Sequence, residues 1–184
     1  MLVRPLVGIF LQMSIDKEIV EEFLNESKSL IDELIDLLES IEGNFSQVKK
    51  LADYGNNVDR IMGGAKSLAL MAPPEHAIHL IADYSALCKA VGYKASQITD
   101  NEKFFDVCVA ILLDATENLR ELLNNIHQNV ESLKEEIPEA FIERLRWVSK
   151  QFNESYSMSV GLGSADQGKM KQTDIDELLK KLGL

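Results

Sequence analysis

The sequence predicts an all-α protein: an antiparallel four-helix bundle with an extra helix and a flexible C-terminal tail. Three observations carry that expectation. Apolar residues recur at steps of three and four over most of the 184 residues, the period of helices with one buried face. Proline and glycine are scarce, at 4 and 10, while Leu, Ile, Glu and Lys are abundant. Polar and turn-forming stretches separate the periodic segments. The length suits one well-buried domain at 14–156, a flexible linker at 157–170 and a terminal peptide at 171–184.

Each element follows from local signals. Residues 1–12, MLVRPLVGIFLQ, are apolar, too short to span a bilayer and without a small-residue cleavage site. Either Met13 is the true start, or residues 1–13 form an N-terminal arm that packs on the bundle or on a partner subunit. The first helix should begin near Ser14 or Asp16 and reach about Glu42, burying Ile19, Phe23, Leu30, Leu34, Leu37, Leu38 and Ile41. Gly43-Asn44 ends it, and Ser46 caps a second helix over 46–70. Pro73-Pro74 breaks that helix.

A third helix runs from Glu75 to about Val91, with Ile78, Ile81, Tyr84, Leu87, Cys88 and Val91 inward. His76 and His79 lie one turn apart beside Glu75, but no third ligand is spaced to complete a metal site. Gly92 and Lys94–Asn101 make a loop, with Thr99 or Asp100 as the next cap. The fourth helix, roughly 101–130, carries a core stripe from Phe104 and Phe105 through Cys108, Ile111, Leu112, Ala115, Leu119, Leu122 and Leu123 to Ile126. Pro138 opens a fifth helix that buries Phe141, Leu145, Val148 and Phe152, with Trp147 packing beside them. After Tyr156, SMSVGLGSADQGKMKQ is Gly/Ser-rich and non-periodic, a linker.

Charge and composition narrow the function. Lys and Arg number 19 against 30 Asp and Glu, a net charge of -11, so no basic patch is expected to displace counterions from nucleic acid. Cys88 and Cys108 both fall on apolar helix faces and read as reduced, buried thiols of a cytoplasmic protein. No phosphate-cradling glycine loop, metal triad or nucleophile constellation is present. No membrane span is expected either.

The second helix carries the first functional signal. Leu51, Tyr54, Val58, Ile61, Met62, Ala65 and Ala69 form its inward face, and Lys49, Asp53, Asn56, Arg60, Gly63 and Ser67 the outward one. The adjacent Gly63 and Gly64 are expected on the solvent side, where each costs about 1 kcal/mol of helix stability relative to Ala. A bare polar face suits close approach by another molecule's backbone. The pattern resembles histidine phosphotransfer (Hpt) domains, which carry an outward Arg-x-x-His-x-x-Lys-Gly on a helix of a four-helix bundle. Here Arg60, Gly63, Lys66 and Ser67 take those positions, so the Arg and Lys match while the His and the Gly are replaced. The resemblance implies a pseudo-phosphotransfer domain, a docking surface without the relay imidazole. A relay would need His76, His79 or His127 instead.

The second signal is TDIDELLKKLGL at the end of the chain. Thr173 with Asp176 resembles a capping box, and Ile175, Leu178, Leu179 and Leu182 form an apolar stripe. So short a helix beyond a linker does not hold itself together in water. It folds either in a partner's groove or back on its own bundle. The ending is similar to the C-terminal peptide of CheZ phosphatases and the N-terminal peptide of FliM switch proteins, both of which bind a CheY-type response regulator. Asp176, Leu179, Leu182, Gly183 and Leu184 match that pattern, while Lys180 and Lys181 place positive charge where those peptides are often acidic.

Together the resemblances imply a chemotaxis, two-component signalling protein whose partner is a CheY-like receiver. The receiver would hold the Mg ion, so no cofactor of the chain's own is expected, and a homodimer stays open. If the protein is a CheZ-like phosphatase, it needs an acid and an amide one turn apart to orient a water in line with phosphorus. Asp53 with Asn56 fits, with Asn57 as the second choice. The alternatives are polar residues on a solvated face, and a non-catalytic adaptor or sink for the phosphorylated receiver.

Overall fold

Asp16 starts the first helix as its type suggests, its carboxylate accepting the Glu18 N–H at 2.9 Å. That helix, α1, spans Lys17–Ile41. The structure, a computed structural model, describes residues 15–156 and 172–183; the expected N-terminal arm, the linker and Leu184 lie outside them. Gly43 ends α1 in the left-handed region, with φ +66. Leu30, Leu34, Leu38 and Ile41 are buried as expected, whereas Ile19 is 45% exposed and Val20 turns inward in its place.

Ser46 does not cap the second helix. Its hydroxyl donates to Asn44 Oδ1 within a 3-10 turn at Phe45–Gln47, and α2 spans Lys50–Ala69. Backbone carbonyls of Val48 and Lys49 accept the first N–H groups there, so no side-chain cap is needed.

The third helix, α3, spans Ile78–Ala95, later at both ends than its sequence suggested. A turn closed by His76 N–H to Pro73 C=O precedes it. It runs straight through Gly92, expected in a loop; a Cβ there would stand 2.6 Å from the Tyr54 ring, so the glycine makes room for that ring. Neither Thr99 nor Asp100 is the next cap. Asn101 is, accepting from Phe104 N–H at 3.0 Å to open α4, Glu102–Asn124.

One further helix was not foreseen from periodicity. The fourth helix stops at Asn124 rather than 130, and a short α5, Val130–Glu135, follows with Asn129 as its cap. After Pro138 comes α6, Glu139–Tyr156, with Phe141, Leu145, Val148 and Phe152 buried. Trp147 stays half-exposed, its ring edge-on to Phe104. The last helix, α7, spans Gln172–Leu182.

No strand occurs among the described residues, and the fold is all-helical. The first helix packs on α2, α2 on α3, α3 on α4 and α4 back on α1. The sixth helix lies against α4, and α7 lies against α3 and α6. The third helix is the axis of this arrangement. Beyond its expected stripe, Ala82, Ser85, Ala86 and Ala90 are buried too, and a helix buried all round accepts several neighbours. The C-terminal segment is therefore not a detached end: Ile175, Leu179 and Leu182 are in the core. Their stripe lost less by covering apolar surface on its own bundle than by facing water.

The thiols of Cys88 and Cys108 are free and buried. Burial pushes the Cys88 thiol up to about 12 and Cys108 up as well, so neither is a nucleophile near neutrality. Thr116 gives its hydrogen to Leu112 C=O, so the buried Tyr54 hydroxyl donates to Thr116 Oγ1, at 3.0 Å. No helix among the described residues is long and apolar enough to cross a membrane.

Candidate functional site

From Lys49 onward, Asp53, Asn56, Arg60, Gly63 and Ser67 step by three and four along α2, and all are exposed. The amphipathic pattern that buries Leu51, Tyr54, Val58 and Ile61 turns these residues outward. Asp53 to Ser67 makes a polar ridge about 20 Å long. Its flanks are α1 and α3.

Individual contacts set what the ridge offers. The Asp53 carboxylate makes no hydrogen bond or ion pair among the described residues. One turn on, Asn56 Oδ1 accepts a hydrogen bond from the Tyr93 hydroxyl of α3. The Tyr93 ring in turn lies over Gly55, 3.1 Å from where a Cβ would stand, so a glycine in α2 seats the tyrosine that holds the asparagine. Asn57 is half-buried. Arg60 Nη2 meets Glu26 Oε1 of α1 at 2.9 Å; both side chains are more than half exposed, so the pair is worth at most about 1 kcal/mol.

The two adjacent glycines differ. Nothing lies within 4 Å of a Cβ built on Gly63, and the Ser67 hydroxyl donates back to its carbonyl at 2.9 Å. Gly64 is not on the solvent side: a Cβ there would meet the Phe23 ring of α1 at 2.9 Å. Packing against Phe23 accounts for this glycine. Lys66 is exposed beside it.

The terminal stripe forms a second site, already occupied. Ile175, Leu179 and Leu182 are buried, Leu178 half-buried, and Asp176 accepts from the Ser149 hydroxyl of α6 at 2.9 Å. The helix starts at Gln172, one residue before the Thr173 expected as its cap. Lys181 Nζ meets Asp83 Oδ1 of α3 at 2.7 Å, which gives one of the two unexpected lysines a structural partner. Gly183, at φ +75, closes α7 in the left-handed region. That accounts for a glycine at this position without a partner.

The histidines make local contacts. His76 Nδ1 accepts from Ile78 N–H and His79 Nε2 donates to Pro73 C=O. Desolvation, aided by His79 and His127 nearby, lowers the pKa of His76 and favours the neutral ring. Among the described residues no three His, Cys, Asp or Glu side chains are grouped to hold a metal ion. Tyr93, Glu26, Asp83 and Ser149 are the site neighbours the sequence did not single out, because their partners lie on other helices.

No protein-family model, curated protein or solved structure matches the chain.

Proposed function

We propose that the protein binds a CheY-like response regulator in the cytoplasm and accelerates loss of its aspartyl phosphate, as a CheZ-like phosphatase built on an antiparallel, Hpt-like four-helix bundle. One observation carries the reading: an exposed ridge on α2 in which Asp53, a carboxylate unpaired among the described residues, stands one turn before Asn56, whose amide oxygen accepts from Tyr93, with the open Gly63 beyond. The cyclic packing of α1 to α4 supports the bundle.

The chemistry asks little of this chain. Water attacks phosphorus, the bond to the aspartyl oxygen breaks, and the carboxylate and inorganic phosphate leave. The receiver supplies the acyl phosphate and the metal ion. Asn56 contributes position: its carbonyl oxygen has two lone pairs, and Tyr93 takes only one. The other can hold a hydrogen of the attacking water, while Tyr93 fixes the rotamer in advance. Asp53 orients a cationic group of the receiver, its exposed carboxylate being unpaired among the described residues. At Gly63 the partner backbone can come close.

A second reading has its own observation. If the Tyr93 bond commits the Asn56 carbonyl, the ridge is a docking face alone, and the protein is an adaptor or sink for the phosphorylated receiver. Phosphate release from a phosphorylated CheY-type receiver separates the two. Wild type should accelerate release, and Asn56→Ala should remove about 100-fold of the acceleration. Tyr93→Phe, which keeps the ring over Gly55, should lower kcat severalfold with KM unchanged. Binding without acceleration would leave the adaptor and remove Asp53 and Asn56 as catalytic groups.

A further inference from the structure

We infer that α7 is a detachable helix whose apolar face is contested by two surfaces, the α3–α6 surface of this chain and the signalling face of the receiver. The inference rests on the receiver reading above and concerns its regulation. The stripe that would enter the receiver's groove is Ile175, Leu178, Leu179 and Leu182. Three of these four are buried in the bundle. A side chain cannot fill two pockets at once, so receiver and bundle compete for the same face.

An apolar stripe and polar contacts hold α7 among the described residues. The polar contacts include Ser149 to Asp176 and Lys181 to Asp83, where the lysine is 64% exposed. An isolated helix of 11 residues is marginal in water, so release and unfolding of α7 go together. The docked state acts as a competing ligand. It weakens receiver affinity by the factor by which docked outnumbers free, and whatever loosens docking restores it. In the docked state Asp176 Oδ1 accepts from the Ser149 hydroxyl, a bond that release must break.

The test uses the full chain and two changes outside the tail, Asp83→Asn and Ser149→Ala, singly and together. Hydrogen exchange of residues 175–183 should quicken in the variants while α2 is unchanged. Affinity for the phosphorylated receiver should rise about two- to fivefold, the scale of losing an exposed ion pair or hydrogen bond. Quicker exchange without tighter binding would overturn the competition. Unchanged exchange in the double variant would make α7 a fixed part of the core and overturn its detachment. Equal receiver affinity after deletion of 171–184 would instead overturn the receiver reading of the tail.

Discussion

Gly92→Val lowers the stability of the fold by about 3 kcal/mol or more, read from urea unfolding. A Cβ on Gly92 would stand 2.6 Å from Cδ1 of Tyr54 and 3.4 Å from the Leu51 carbonyl. Tyr54 has nowhere to go, because its ring is fully buried and its hydroxyl is tied to Thr116. Moving the ring would break that bond and open a void where α2 meets α3. The helix propensity gained by replacing glycine with valine is a few tenths of a kcal/mol and cannot offset this. Gly63→Ala should act the other way, adding up to about 1 kcal/mol, since its Cβ would meet nothing within 4 Å. A wild-type urea midpoint for Gly92→Val would mean that Tyr54 can retreat and that the α2–α3 contact is looser than described.

Those glycines mark what a one-dimensional pattern can and cannot carry. The inward faces of α1, α2, α4 and α6 were legible because each is amphipathic, with a single apolar stripe and a polar back. The outward ridge of α2 was legible for the same reason. The third helix was only half legible: Ala82, Ser85, Ala86 and Ala90 are too small to announce burial, yet they let further helices approach it. Gly92 read as a loop because glycine usually breaks helices, whereas here a ring from another helix requires it. Gly64 went wrong by the same kind of partner, Phe23. Tyr93, now the residue that holds Asn56, lay in a stretch read as loop. Tertiary contacts decided each of these, and spacing along the chain holds no record of them.

The terminal helix poses the sharpest case, since its stripe predicts docking without saying on what. Deleting residues 171–184 should lower receiver affinity tenfold or more, and more than Asn56→Ala does, while moving the thermal midpoint by only a few degrees. The asymmetry has a physical cause. Ile175, Leu179 and Leu182 are three side chains of a much larger buried set, and ordering the backbone of an 11-residue helix opposes what their burial gains. The bundle therefore keeps most of its stability without α7. In a receiver groove the same apolar residues would be the anchors, and a few such anchors carry most of an interface's energy. Calorimetry of the truncated chain beside receiver titration reads both quantities. A collapse of the thermal midpoint by ten degrees or more would show that α7 belongs to the core first. Its burial would then be the reason for the stripe, and the receiver-binding surface would have to be sought on α2 alone.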